Sequence, residues 1–249
     1  MKTPKTNPPV ALITGSARRI GASIAQTLHR SGFNIVLHYG KSKKDATELC
    51  ITLNRQRADS AVTVQADLLQ TVALPNLLQQ SLQPWQRLDA LINNASSFYP
   101  TPVGSIDEAA WNDLMGSNLK APLFLSQAAA PYLKSSGGSI VNIIDVHADR
   151  PMRKHTVYSV AKAGLAALTK SLARELAPEV RVNAVAPGAI LWPEHEMPEE
   201  SRESILQRVP LQRPGNPEDI ALAVRFLLLD APYMTGHILP VDGGRSLYI

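Results

Sequence analysis

Short apolar runs along the chain alternate with longer segments in which apolar residues recur at helical spacing. After the first apolar run, Ile20, Ile24 and Leu28 lie about one helical turn apart, which predicts an amphipathic helix. The apolar runs predict strands at 10–14, 34–38, 61–65, 88–92, 139–144, 181–185 and 237–241. The segments between them predict helices, among them 44–57, 107–133 and 157–177. Strands that alternate with helices indicate an α/β fold with a doubly wound parallel sheet and helices on both faces.

The pattern continues without a linker, a repeat or a low-complexity tract, so we expect 1–249 to form a single domain. A polar lead-in occupies 1–8. Near the other end, Asn216 precedes a proline and two acidic residues, which predicts a capped helix start. Between the sixth strand and that helix, 190–210 is rich in proline and glutamate and is expected to be a mobile loop that closes over a ligand.

Composition narrows the class of protein only modestly. The chain has 45% hydrophobic and 18% charged residues, which is ordinary for a globular protein and not for a disordered one. Its net charge of +4 suits an anionic ligand or cofactor, but the dispersed Lys and Arg residues do not indicate a nucleic-acid partner. The chain has a single cysteine, Cys50, no apolar leader and no run of about 20 apolar residues. These features favour a cytoplasmic protein without a membrane span.

A glycine-containing turn joins the first strand to the first helix. The sequence there is TGSARRIG, in which Gly15 and Gly21 flank Arg19 and Ile20. Free backbone N–H groups and the dipole at a helix start can hold a pyrophosphate, which predicts a dinucleotide site in a Rossmann-type fold. The alternative is a tight turn with an exposed arginine.

The end of the second strand distinguishes NADH from NADPH in folds of this type. An acidic side chain there accepts hydrogen bonds from the ribose, whereas a cation accommodates a 2′-phosphate. The sequence reads His38, Tyr39, Gly40, Lys41 and Ser42, with no acidic residue among them. Lys41 and Ser42 are therefore predicted to bind the phosphate, with His38 nearby, which favours NADPH. Alternatively, these residues bind no phosphate and form only a basic loop at the start of a helix.

A tyrosine and a lysine on one helix face form the candidate catalytic pair. Tyr158 and Lys162 are four residues apart, one turn along the same face. An ammonium near a phenol stabilises the phenolate and is expected to lower the tyrosine pKa towards neutrality, which gives a proton donor for a reduction. Asp145 precedes the tyrosine by thirteen residues, and an ionised carboxylate accepts hydrogen bonds without donating them. We interpret Asp145 as a proton relay or, alternatively, as a structural carboxylate that caps the following loop.

These motifs resemble those of the short-chain dehydrogenases/reductases over nearly the whole chain. Most of that family has a serine thirteen residues before the tyrosine, a glycine at the position of Arg19, and NNAG where this chain has NNASSFYPTP. The three departures resemble the pteridine reductases, over roughly 9–249. That resemblance implies that Phe98 stacks on a pterin, that Ser96 bonds the polar edge of the ring, and that Arg19 binds near the pterin and the pyrophosphate. The alternative for Phe98 is a loop aromatic packed into the core.

The same resemblance implies further contacts. Asp145 and Tyr158 would touch the substrate, Lys162 would grip the nicotinamide ribose beside Tyr158, and Asn118 would hold a water near that lysine. The remaining implied cofactor contacts are Asp67, Leu68, Asn94, Ala95, Ser96, Pro187 and Gly188. The family is usually tetrameric, and the predicted helices 107–133 and 157–177 show more than one apolar face. We therefore expect a homo-oligomer, a tetramer by the resemblance.

The resemblance also places a substrate loop at 190–210. Leu191 and Trp192 lie in that loop without an assigned role. The histidines His147, His155 and His195 do not have the spacing of metal ligands, so no metal site is predicted.

We predict an NADPH-dependent reductase of a dihydropterin, such as dihydrobiopterin or dihydromonapterin, with dihydrofolate as a further candidate. Hydride adds to a C=N carbon and a proton goes to the adjacent ring nitrogen. One alternative is a 3-oxoacyl-thioester or other carbonyl reductase, against which Asp145 counts because it cannot donate a hydrogen bond to a carbonyl. Another is a non-catalytic NADPH-binding sensor, against which the intact Asp145, Tyr158 and Lys162 count.

Overall fold

A parallel sheet organises residues 8–190 and 199–248, the part of the chain that this computed structural model describes. Its strands are β1 (Val10–Ile13), β2 (Asn34–Tyr39), β3 (Ala61–Gln65), β4 (Ala90–Asn93), β5 (Ser139–Ile143), β6 (Arg181–Pro187) and β7 (Ile238–Val241). Their order across the sheet is β3-β2-β1-β4-β5-β6-β7, and every neighbouring pair is parallel. The strands predicted from apolar runs are confirmed, with ends that differ by at most two residues.

Helices cover both faces of this sheet. They are α1 (Arg19–Arg30), α2 (Lys43–Gln56), α3 (Leu74–Leu82), α4 (Glu108–Met115), α5 (Ala121–Ser136), α6 (Thr156–Glu175), α7 (Glu199–Leu206) and α8 (Pro217–Leu229). The predicted start of α8 is confirmed, because Asn216 Oδ1 accepts from the Asp219 N–H at 3.0 Å and Asp219 Oδ2 accepts from the Asn216 N–H at 2.9 Å. Within the described ranges, no helix is both long and apolar enough to cross a membrane.

The predicted helix 107–133 is confirmed as a continuous helical run over 108–136, but the run is not regular. A π-helical segment, Gly116–Lys120, separates α4 from α5. Inside it, Asn118 Nδ2 donates to the Leu114 carbonyl at 3.0 Å. In an α-helix that carbonyl would accept from the backbone N–H of residue 118, so the side chain competes with the regular ladder. The consequence is that Asn118 is turned inward and completely buried.

The core is divided between the two faces of the sheet, because successive side chains of a strand point to opposite sides. Ala11 and Ile13 of β1 pack with residues of α1, α2 and α8. Val10 and Leu12 pack with residues of α3, α5 and α6. A one-residue slip of β1 would exchange the two sets, so the two-sided core fixes the register and with it the position of the loops that follow the strands.

The carboxyl ends of the central strands create the crevice in which the candidate site lies. β1 pairs with β2 on one side and with β4 on the other, so the strand order reverses at this point. Loops that leave neighbouring strands at such a reversal turn to opposite faces and leave room for a ligand between them. The loops after β1, β2, β4 and β5 carry most of the predicted site residues.

Candidate active site

Close backbone contacts shape the turn that follows β1. Gly15 has φ +62°, and a Cβ atom there would lie 2.9 Å from Ala95 Cα. A Cβ atom on Gly21 would lie 2.3 Å from the Gly15 carbonyl oxygen, so both positions require glycine. Arg19 also adopts the left-handed region, with φ +54°. For a non-glycine residue this costs about 1–2 kcal/mol, and such strain is typical of positions whose side chain is used.

Hydrogen bonds join this turn to the loop after β4. Thr14 Oγ1 accepts from the N–H groups of Asn94 at 2.9 Å and Ala95 at 3.0 Å. Asn94 Nδ2 donates to the carbonyls of Thr14 at 2.9 Å and Gly15 at 3.0 Å. Asn94 therefore holds the turn in shape in addition to bordering the crevice.

Two neighbouring cavities, of about 360 and 550 Å³, border the turn and share Gly15, Gly40, Ala95 and Ser96. The predicted cofactor residues that line the first are Arg19, Ile20, Gly21, Tyr39, Ser42 and Asn94. Those that line the second are His38, Lys41, Asp67 and Leu68. Residues that follow four different strands, β1 to β4, are thus brought around two adjoining cavities.

His38 does not have the environment expected of a phosphate ligand. Its ring is buried, Nδ1 accepts from the Gly15 N–H at 3.1 Å, and Nε2 lies 3.1 Å from the Ala66 carbonyl. Because Nδ1 must accept from an N–H, the proton is on Nε2 and the ring is neutral. Burial lowers the pKa of His38 to about 4, although its hydrogen bond to Ala66 opposes the shift. His38 therefore brings no positive charge to a 2′-phosphate, and it shapes the turn instead.

The environment after β2 is basic in other respects. Lys41 is exposed, and Ser42 makes no side-chain capping bond to α2, which it precedes. The nearest acidic residue along the chain, Asp45, has its carboxylate 3.9 Å from Arg18 Nε. A phosphate at this point would meet the exposed Lys41, and the carboxylate of Asp45 has a cationic partner, whereas Asp67 and Asp113 line the same cavity as Lys41.

The candidate catalytic side chains meet at the carboxyl end of β5. Tyr158 Oη donates to Asp145 Oδ2 at 2.8 Å, while Asp145 Oδ1 accepts from the His147 N–H at 2.8 Å. Lys162 Nζ donates to the Ile143 carbonyl at 2.9 Å and lies 5.6 Å from the centroid of the Tyr158 ring. Each interpretation of Asp145 applies to a different oxygen. Oδ1 caps the following turn, as a structural carboxylate would, and Oδ2 contacts the tyrosine, as a proton relay would.

The pKa values in this cluster correct one expectation. Burial and the negative charge of Asp145 raise the pKa of Tyr158 well above its ordinary value, so the predicted lowering was wrong. Burial lowers the pKa of Lys162 to about 8, although Asp145 opposes the shift. The spacing of Tyr158 and Lys162 indicates the effect of the lysine, but it contains neither the desolvation of the phenol nor the effect of its carboxylate neighbour. Tyr158 accordingly holds its proton firmly, as a hydrogen-bond donor to Asp145.

Phe98 lies at the mouth of this cluster. Its side chain is 48% exposed, so the alternative of an aromatic packed into the core is wrong. The ring stacks on His155, with centroids 4.8 Å apart and planes at 12°. It meets Tyr158 edge to face, with centroids also 4.8 Å apart and planes at 76°. A flat, partly exposed hydrophobic ring thus lies beside the ring of the candidate catalytic tyrosine.

The loop that carries Phe98 is held by the π-helical segment. Asn118 Oδ1 accepts from Ser96 Oγ at 2.7 Å, and Asn118 Nδ2 donates to the Ser97 carbonyl at 3.0 Å. Ser97 Oγ also donates to Asp113 Oδ1 at 3.1 Å. The Asn118 amide is engaged by this loop, whereas the resemblance placed it on a water near Lys162. Neither Asp113 nor His155 was predicted at the site; the only signal for His155 is its place three residues before Tyr158, at the N-cap of α6.

β6 ends at Pro187, at the same edge of the sheet, and Gly188 follows it. A Cβ atom on Gly188 would lie 2.6 Å from Asp242 Cβ, so glycine is required there by packing. Leu191, Trp192 and His195 lie outside the described residues. In the part of the chain that is described, no group of three or more potential metal-ligating side chains comes together.

Comparisons with known proteins give the family. A family model described as enoyl-(acyl carrier protein) reductase, of the short-chain dehydrogenase/reductase family, matches residues 15–246. Pteridine reductase 1 of Leishmania tarentolae is 40% identical, over 96% of this chain and 96% of that protein. Granaticin polyketide synthase putative ketoacyl reductase 2 of Streptomyces violaceoruber is 35% identical, over 99% of this chain and 100% of that protein. The 3-oxoacyl-(acyl-carrier-protein) reductase FabG of Staphylococcus aureus is 35% identical, over 95% and 98%.

These matches cover almost the whole chain. The protein therefore belongs to the short-chain dehydrogenase/reductase family, and it is an oxidoreductase of that family.

Proposed function

We propose that the protein reduces a dihydropterin to its tetrahydro form with NADPH. The observation that carries this proposal is the 2.8 Å contact of Tyr158 Oη with Asp145 Oδ2 beside the half-exposed ring of Phe98. A carboxylate at this position suits a substrate nitrogen that must gain a proton, and a flat ring next to it suits a planar heteroaromatic substrate. The similarity to a pteridine reductase supports the same substrate class.

The residues around the crevice fit NADPH. Gly15, Arg19 and Gly21 shape a turn at the N-terminus of α1, where backbone N–H groups and the helix dipole favour a pyrophosphate. Lys41 and Ser42 would hold the 2′-phosphate, because both follow β2 directly and no residue from His38 to Ser42 is acidic. When bound, the cofactor would supply the hydride for the C=N carbon.

The protein's own residues manage the proton. Tyr158 keeps its hydroxyl proton at neutral pH, because burial and Asp145 raise its pKa, and it can donate that proton to the ring nitrogen of the substrate. Asp145 Oδ2 already accepts from this hydroxyl, so it is placed to take a proton from water and return it to the tyrosine. Lys162 is held by the Ile143 carbonyl, and its positive charge offsets the negative charge left when Tyr158 gives up its proton.

A second candidate is a 3-oxoacyl-thioester reductase, because two of the similar proteins are named as ketoacyl or 3-oxoacyl reductases. Asp145 argues against it, since a carbonyl oxygen needs a hydrogen-bond donor and an ionised carboxylate offers none. A non-catalytic cofactor sensor is disfavoured because such a protein has no need of a tyrosine, a lysine and a carboxylate arranged around one hydroxyl.

We also propose that the protein is a homo-oligomer, with the tetramer implied by the resemblance. Large apolar side chains are exposed on three neighbouring helices, including Trp111 on α4 at 46%, Phe124 on α5 at 38% and Val160 on α6 at 48%. Exposed apolar side chains on adjoining elements are typical of a protein interface. A cytoplasmic location stays a prediction from the sequence; Cys50 is a free thiol in the structure.

The test of the proposed substrate is NADPH oxidation by the purified protein with a dihydropterin and, separately, with an acetoacetyl thioester. We expect a high kcat/KM for the dihydropterin and little or no turnover of the thioester. Efficient reduction of the thioester alone would show that the protein is a carbonyl reductase. NADPH binding without turnover of either compound would favour the sensor.

A further inference from the structure

Phe98 and His155 form a stacked pair whose purpose the proposed chemistry does not explain. The two rings lie 4.8 Å apart and nearly parallel, at 12°. The edge-to-face contact with Tyr158 bounds the Phe98 ring from a second direction. Phe98 is therefore exposed to a ligand but is restrained by two neighbouring rings.

His155 is itself held firmly by the backbone. Its Nδ1 lies 3.0 Å from the Arg153 carbonyl, and since a carbonyl only accepts, Nδ1 carries the proton and donates. A parallel bridge joins Thr101 to His155, and the Thr101 N–H donates to the Lys154 carbonyl at 2.6 Å. Thr101 belongs to the same loop as Phe98. The backbone that carries His155 is thus attached to the loop that carries the ring on which it stacks.

We propose that His155 is a positioning residue that fixes the plane of the Phe98 ring and so makes the site selective for flat heteroaromatic substrates. The inference rests on the proposed pterin substrate. A ring that is oriented before binding loses less side-chain freedom when a planar ligand stacks on it, which improves the affinity for that ligand. An extended acyl chain does not require a particular ring plane, so it gains little from the same restraint.

Two substitutions of His155 test this role. His155→Ala removes the stacking ring, and His155→Phe keeps a flat ring without the imidazole. The probe is a diaminopteridine, whose Kd for the NADPH complex is measured by titration. We expect His155→Ala to raise this Kd roughly twofold to tenfold, the range of one aromatic pair, and His155→Phe to restore it. His237→Ala, at an exposed histidine, is the matched control and should leave the Kd unchanged.

Further readouts distinguish a positioning role of His155 from a merely structural one. The Kd of NADPH alone should stay the same in His155→Ala, and the KM for the dihydropterin should rise while kcat changes by less than about twofold. The decisive readout is a double-mutant cycle with Phe98→Ala. If His155 acts through Phe98, then His155→Ala has no further effect on the diaminopteridine Kd once Phe98 is absent.

An unchanged Kd in His155→Ala, or an effect of equal size with and without Phe98, would overturn the inference. If the wild-type protein reduces a dihydropterin but the cycle is additive, the proposed function stands and only the role of His155 is lost. If the wild-type protein neither binds the diaminopteridine nor reduces a dihydropterin, both are wrong.

Discussion

The buried ring of His38 makes the stability of the protein depend on pH in a defined direction. Burial lowers the pKa of His38 from 6.5 to about 4, against the opposing effect of its hydrogen bond to Ala66. Between these two values the unfolded chain takes up a proton at His38 that the folded protein excludes. The contribution of the neutral ring to stability is therefore complete above the unfolded pKa, and it is lost as the pH falls towards the folded pKa.

The difference between 6.5 and about 4 corresponds to about 3 kcal/mol in the free energy of unfolding. Of this, about 2 kcal/mol should disappear between about pH 7.5 and about pH 5. His38→Asn removes the titrating group. At neutral pH this variant should be less stable than the wild type, because it disturbs the bonds to Gly15 and Ala66. Its loss of stability on acidification should nevertheless be smaller by about 2 kcal/mol.

Urea unfolding at the two pH values, followed by circular dichroism, measures both quantities. At each pH the free energy of unfolding of the variant is subtracted from that of the wild type. This difference removes the contributions of the carboxylates and of the other histidines, including His29, whose pKa is also lowered by burial. His237→Asn, at an exposed histidine, is the control and should follow the wild type. If His38→Asn loses as much stability on acidification as the wild type does, His38 is not held neutral in the fold and the reasoning fails.

Further predictions concern the cofactor, the substrate and the assembly. Lys41→Ala should raise the KM for NADPH roughly tenfold to a hundredfold, the value of a charge-assisted hydrogen bond, with NADH kinetics nearly unchanged. Equal use of both cofactors by the wild type would contradict this. Phe98→Ala should weaken diaminopteridine binding far more than NADPH binding, and an unchanged affinity would leave the ring only a structural role. Asp145→Asn should slow dihydropterin reduction about 10²–10⁴-fold without preventing NADPH binding, because asparagine cannot relay a proton. Full turnover would reduce Asp145 to a cap of the turn at Val146–Ala148. Trp111→Ser should lower the molar mass measured by light scattering, and a monomeric wild type would refute the proposed oligomer.

The strands could be predicted because their signal is local. β1 and β2 are central strands of a parallel sheet and are buried on both faces, so they read as continuous apolar runs. The capped start of α8 was equally local, because one asparagine and one aspartate three residues later form it. The π-helical segment was not predictable in this way, since it depends on where the side chain of Asn118 finds its partners.

The spacing of Asp145 and Tyr158 indicated that the two residues act together. It could not indicate how deeply they are buried or how burial changes the pKa of Tyr158. Desolvation is the largest cause of the raised pKa of Tyr158. This desolvation results from the packing of α6, which carries Tyr158, against the sheet. His38 was likewise read as a polar residue at the end of an apolar run, whereas the strand buries it and the Gly15 N–H occupies its ring nitrogen. In each case the tertiary partner, and not the residue type, sets the protonation state.

A competition experiment with labelled cofactor tests the central claim most directly. The protein is given NADPH that carries deuterium at the transferable position, together with equal concentrations of a dihydropterin and an acetoacetyl thioester, and both products are analysed by mass spectrometry. If the protein is a dihydropterin reductase, the products are a tetrahydropterin with one deuterium bonded to a ring carbon and an unlabelled thioester. Deuterium in a hydroxyacyl thioester, with the pterin left in its dihydro form, would contradict that claim.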